Sequence, residues 1–187
     1  MKHVSSCKVF LVFCADFYRA TLAYQKNGQS LDDFTKYVTK PNSVILGSTD
    51  VGLSMAYAIA TAESLGISVC PVGVVRVHSL EIIKELQLPK YVVPIAGLCL
   101  GYADDDPGLK PRLPMSAVFF EEKYDKEKAK QGVDEFDETY HKYLKERGPG
   151  ARDSNWTKSL IDIYDKGNKV SNQDHEMLKQ QGYIPDK

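Results

Sequence analysis

The stretch YVVPIAGLCLGYADDDPGLKPRLP, Tyr91 to Pro114, decides how this chain is read. Tyr91 to Leu100 is almost continuously apolar, the pattern of a strand covered on both faces. Gly101 and the ADDDPG turn end it. Lys110-Pro111-Arg112 follows. Pro111 fixes its own φ and biases Lys110 toward extended geometry, and in an extended segment side chains two apart share a side. Two cations are therefore expected to project together from a stiff loop just past a buried strand, a mount for a phosphate or carboxylate.

Working outward, VFLVFC (Val9 to Cys14) reads as a strand, as do the residues from Ile67 to Val75. Asn27 to Lys40 reads as a loop carrying a short helix near Leu31 to Val38. A long helix is expected from Asn42 to Leu65, with Pro41-Asn42-Ser43 offering its cap and Gly66 as its stop. It is apolar on most faces and rich in Gly and Ala, which predicts burial against a close neighbour. Ser79 is expected to cap a helix LEIIKELQ that ends before Pro89. Met115 to Phe120 is read as an extended piece. Asp125 to Glu146 carries Val133, Phe136, Tyr140, Tyr143 and Leu144 at helical spacing and reads as an amphipathic surface helix. Arg147 to Asn155 is a Gly/Pro loop. Two helices follow, Trp156 to Lys166 and Ser171 to Gln181, the second capped by Ser171. Strands alternate with helices, so the expected class is α/β (α+β) with a mixed central sheet flanked by helices.

The 187 residues suit one domain, divided at 124/125 into a core and a helical C-terminal part with its loop; 43% are hydrophobic. The net charge of −1 gives no electrostatic case for nucleic acid or an anionic membrane. Residues 1–100 hold 9 basic and 7 acidic groups and residues 101–187 hold 15 and 18, so the second part is the wetter. No apolar stretch is read as membrane-spanning, and the opening Met-Lys-His-Val-Ser-Ser lacks the apolar core of a signal peptide. Cys7, Cys14, Cys70 and Cys99 show no metal-ligand spacing and are expected as reduced, buried thiols of a cytoplasmic protein. The four histidines lie in no nucleophile motif. Asp16 and Arg19 read as a pairing at a strand exit, and Asp104 to Asp106 as a solvated turn rather than a metal site. A chain without reactive groups of its own that performs chemistry borrows a cofactor.

GLCLGYADDDPGLKPRLP resembles the signature of the nitroreductase superfamily, nearest its oxygen-insensitive NADPH nitroreductases and NADPH–FMN oxidoreductases. VFLVFCADFYR (Val9 to Arg19), DVGLSMAYAIATAESLGI (Asp50 to Ile67) and YLKERGPGARDSNW (Tyr143 to Trp156) resemble further family stretches in order and spacing. The family opens with roughly fifty to sixty further residues bearing an Arg-Ser-x-Arg type flavin motif; this sequence has no counterpart, so an N-terminally truncated member is expected.

The resemblance implies FMN as cofactor, with Lys110 and Arg112 on its phosphate. CPVGVVR (Cys70 to Arg76) matches the stretch whose two adjacent glycines present backbone N–H groups to the flavin. Pro71, Gly73 and Val74 are thereby implied as cofactor contacts, with Val74 in place of the second glycine and Arg76 at the family's arginine position. Arg147 and Arg152 match loop arginines that hold NADPH. The implied function is ping-pong hydride transfer from NAD(P)H to a nitroaromatic, quinone or free flavin, in a homodimer centred on the long helix. The alternatives are a non-catalytic remnant that dimerises or binds a partner, and a nucleotide-binding module.

Overall fold

A computed structural model describes residues 2–104, 106, 108–167 and 173–185. The chain forms two compact units, Met1–Asp104 with Ser171–Lys187, and Asp105–Val170.

The first unit runs α1 (Lys2–Ser6), β1 (Val9–Asp16), α2 (Tyr18–Lys26), α3 (Leu31–Val38), α4 (Pro41–Ser64), β2 (Ser68–Val72), a 3-10 turn (Val74–His78), α5 (Ser79–Glu85) and β3 (Val92–Gly101). Its three strands form a sheet in the order β1-β3-β2. β3 is central and pairs with Val9↔Leu100 on one side and Val69↔Leu100 on the other. The expected α+β class and buried central strand stand: Val93, Pro94 and Leu98 are fully covered. Both described pairings are antiparallel, where mixed directions were expected.

The register of β1 jumps between Phe13↔Ala96 and Cys14↔Pro94, leaving Ile95 unpaired as a bulge. Pro94 has no N–H to give the ladder, so the irregularity falls beside it. Arg76 Nη1 donates to the Ile95 carbonyl at 3.0 Å.

α4 runs from Pro41 at its first turn to a Schellman close, with Gly66 N–H donating to Glu63 O and Ile67 N–H to Ala62 O. Gly66 holds φ +72°, as its expected role as the stop requires. Ser43 is not a cap. Its hydroxyl is buried inside the helix start, its one proton shared between Val38 O at 2.5 Å and Lys40 O at 2.7 Å. A Cβ at Gly47 would stand 2.7 Å from that of Ala15, so this glycine sets how closely α4 approaches β1. Within the single chain only part of α4 is covered. Ser43, Gly47, Val51 and Ala62 are covered, but Leu46, Leu53 and Tyr57 are exposed. α4 is also long and apolar enough, by length and composition, to cross a membrane, contrary to the reading that no stretch is.

Other corrections are local. β2 stops at Val72 because residues 74–78 coil into the 3-10 turn. Ser79 lies inside α5 and makes no cap bond. Instead its neighbour Leu80 N–H donates to Gln173 Oε1 at 3.0 Å. α1 and α2 were not anticipated. The residues after the second unit return to the first as α8 (Asp174–Gln180); the expected Ser171 cap lies outside the described residues. Met177 and Tyr183 join Ala15, Phe34, Val38, Val51 and Val93 in one core.

The second unit holds a 3-10 turn at Met115–Ala117, where an extended piece was expected, and the helices α6 (Lys126–Glu146) and α7 (Trp156–Gly167). Asp125 caps α6, accepting from Glu127 N–H and Lys128 N–H at 3.0 Å. The buried stripe of α6 is Gly132, Phe136, Tyr140 and Leu144, one face at four-residue steps. Gly132 abuts the 3-10 turn so closely that a Cβ would lie 2.0 Å from that of Ala117.

Candidate functional site

In the second unit, Lys110 and Arg112 line one cavity of about 270 Å³ with Leu113, Phe136, Tyr140 and Trp156. The extended Lys110-Pro111-Arg112 segment does place both cations at one opening. Lys110 Nζ stands 5.6 Å from the Tyr140 ring centroid, a cation–π distance. Arg112 Nη1 donates to its own neighbours' carbonyls, Lys110 O at 2.8 Å and Pro111 O at 3.2 Å. Among the described residues neither cation is paired with a carboxylate. The cavity wall is an aromatic cluster in which Phe136 meets Tyr140 tilted at 5.5 Å and Trp156 edge-on at 5.7 Å. Two exposed, unpaired cations over an aromatic wall suit an anionic group attached to a flat ring. The sequence reading found the cations but not the wall. The i, i+4 spacing of Phe136 and Tyr140 carried that signal.

The loop after α6 holds the other pair. Gly148 (φ +72°) and Gly150 (φ +87°) adopt backbone that side chains rarely reach, and Ala151 N–H closes on Gly148 O at 2.9 Å. The turn presents Arg147 and Arg152. Arg147 lies 5.6 Å from the Tyr143 ring, and Arg152 N–H donates to Leu144 O at 3.0 Å. His141 was passed over in sequence. Its Nδ1 donates to Ser154 O at 2.9 Å, which fixes the tautomer because a carbonyl only accepts. Its Nε2 and Lys145 Nζ approach Asp153 at 3.6 and 3.7 Å. Thr157 N–H donates to Asp137 Oδ1 at 2.8 Å and its hydroxyl to Oδ2 at 2.5 Å, which anchors the start of α7. The glycine turn is thus free at its tip and held at its C-terminal root.

Pro71, Gly73 and Val74 lie in the first unit, where β2 gives way to the 3-10 turn. Gly73 has φ −83° and ψ −18°, and a Cβ there would meet nothing nearer than 3.9 Å. Val74 is likewise absent from the positive-φ positions. A branched residue in place of the family's second glycine therefore needs no strained backbone. The leading N–H groups of such a turn have no acceptor within it, which leaves the Val74 N–H able to donate outward.

Two acidic groupings pair locally. Asp16 takes Arg19 at 3.1 Å, the expected pairing at the strand exit. Asp106 accepts from Gly108 N–H at 2.9 Å in the acidic turn, whose Asp105 lies outside the described residues. No cluster of metal-ligating side chains occurs among the described residues.

Residues 110–186 match the model of the nitroreductase family C-terminal domain. The chain is 37% identical over 186 residues to an FMN reductase [NAD(P)H] of Bacillus subtilis, covering 98% of this chain and 72% of that one. It is 34% identical to an oxygen-insensitive NADPH nitroreductase of Salmonella typhimurium, covering 83% of this chain and 61% of that one. The solved structure of B. megaterium NfrA2 superposes with a TM-score of 0.88 at 36% identity, over 98% of this chain and 72% of that one. The chain thus spans roughly three fifths to three quarters of the relatives it matches, and at this identity and coverage it belongs to the nitroreductase family.

Proposed function

We propose that this protein is an FMN-dependent NAD(P)H oxidoreductase. The observation that carries the reading is the unpaired Lys110–Arg112 couple at the mouth of the aromatic cavity, in a chain whose relatives are named FMN reductase and NADPH nitroreductase. FMN, when bound, supplies the centre that accepts and donates hydride. Lys110 and Arg112 hold its phosphate with charge-assisted hydrogen bonds. In the first unit, Pro71, Gly73 and Val74 present backbone of the kind that suits a flavin ring, with the Val74 N–H as donor. Arg147 and Arg152 receive the NADPH phosphates from the tip of a loop suited to a nucleotide that enters and leaves each cycle. The acceptor is a nitroaromatic, a quinone or free flavin. NADPH and acceptor use one site in turn, a ping-pong scheme. The setting is the cytoplasm, without nucleic-acid or membrane partners, and the working form is a homodimer.

Equilibrium titration with FMN, followed by anaerobic stopped-flow mixing with NADPH, tests the reading. Stoichiometric binding and bleaching of the bound flavin on mixing are expected. A chain that binds FMN without bleaching is the non-catalytic alternative. One that binds NADPH but no FMN is the nucleotide-binding module.

A further inference from the structure

Three of the four cysteines meet at one place in the first unit. Cys70 on β2 and Cys99 on β3 are direct cross-strand partners, so their side chains leave the same face of the sheet. Cys7 sits just before β1, where the following Lys8 N–H donates to Leu100 O at 3.2 Å and ties the segment to β3. All three pack in one apolar cluster with Val72 and Val75. Cys99 is buried, and Cys7 and Cys70 are half-buried.

Cys7 packs against the cluster that holds the buried Cys99 thiol. The Cys7 thiol donates to Val4 O at 3.3 Å. The Cys99 pKa is pushed up to about 11, by burial first and then by its neighbours Cys7 and Cys70. Cys99 therefore stays protonated at neutral pH and is a poor first nucleophile. Cys7 reaches solvent from a five-residue helix end, where few contacts resist a shift. Cys70 is less apt. The sheet ladder holds Cys70 in register opposite Cys99 and leaves it little freedom to turn into disulfide geometry.

We infer that Cys7 and Cys99 form a thiol pair that hydrogen peroxide converts to an intramolecular disulfide, with Cys7 the attacked thiol and Cys99 the resolving one. In the first step the Cys7 sulfur attacks peroxide, the O–O bond breaks, and sulfenic acid and water form. In the second the Cys99 sulfur attacks the Cys7 sulfur, the S–S bond forms, the S–O bond breaks, and a second water leaves with the thiol proton. Two thiols are oxidised by two electrons and one peroxide is reduced to two waters. The site lies outside the residues assigned to FMN and NADPH, so it stands whether or not that assignment does.

The test is peroxide treatment of the folded chain, followed by alkylation and intact-mass and peptide mapping. A loss of two hydrogens with a Cys7–Cys99 link is expected, together with Cys14 and Cys70 alkylated. Cys70→Ser should keep the link. Cys99→Ser should lose it and leave Cys7 as a sulfenic acid trapped by dimedone. Should Cys99→Ser fold poorly, Cys7→Ser at the half-buried end serves in its place and should likewise abolish the link. A Cys70–Cys99 link, an intermolecular link, or a link that persists in Cys7→Ser would overturn the inference. So would Cys7 sulfenic acid accumulating in the unaltered chain without closing on Cys99.

Discussion

Lys110 and Arg112 differ in what they are free to do. Lys110 leans on the Tyr140 ring, while Arg112 spends one guanidinium nitrogen on two backbone carbonyls. That back-bonding stiffens the fork and still leaves other donors for a ligand. Removing both cations should weaken FMN binding by about 30- to 1000-fold while the fold persists. Fluorescence titration of Lys110→Ala/Arg112→Ala measures it, and unchanged affinity would refute the phosphate assignment. For the other pair, Arg147→Ala/Arg152→Ala should raise KM for NADPH by about tenfold or more with kcat little changed, the mark of lost ground-state binding. KM for NADH should move much less, since NADH lacks the extra phosphate. An equal rise for both nucleotides would show that the arginines serve the loop rather than the phosphate. Sequence could single out these positions because each lies in a contiguous motif. It could not do so for His141. Its role depends on a carbonyl thirteen residues on, which neither charge nor periodicity reveals.

At the scale of elements, what sequence revealed tracks how local the cause is. The α3 limits, the Gly66 stop and the Asp125 start were readable because caps and glycines act on their own neighbours. β3 was readable because a strand covered on both faces is apolar throughout. β2 was overextended and Met115–Ala117 misread, because β-branched and apolar residues favour strands until tertiary packing coils them. α2 was missed because its mean polarity hides its one packed face. The bulge at Ile95 needed the register of two strands, information no single segment holds. Contact between α6 and the Met115–Ala117 turn rests on Gly132, a residue the helical pattern had skipped in favour of Val133. Gly132→Ala puts a methyl 2.0 Å from Ala117 Cβ, and the backbone atoms beside it cannot rotate away. The helix itself would gain from alanine, yet overpacking costs about 1–3 kcal/mol. Net destabilisation in thermal melts is therefore expected, and a more stable variant would mean that the contact yields.

At the scale of the whole molecule, α4 poses the main question of assembly. Leu46, Leu53 and Tyr57 follow steps of seven and four residues and share one outward face, and Tyr57 is 77% exposed. Ser43, Gly47, Val51 and Ala62 occupy a neighbouring face, roughly a third of a turn around the helix, against the unit's own core. A membrane span would offer every face to lipid, but this helix has one face already packed and carries Asp50 between Leu46 and Leu53, where hydrocarbon would penalise a charge. An apolar face of this kind on an otherwise mixed surface marks an interface. We propose that a second copy covers it, with the α4 helices packing on each other about a two-fold axis. Such an isologous contact brings Tyr57 and Leu53 of both copies into one patch, so each substitution counts twice. Light scattering at micromolar concentration should therefore give twice the chain mass. Leu53→Asp/Tyr57→Asp should give monomers, because four carboxylates would enter a desolvated seam. Both residues are exposed in the single chain, so circular dichroism should show the monomer still folded. A stable monomer of the unaltered protein, or a dimer indifferent to these two charges, would place the assembly surface elsewhere.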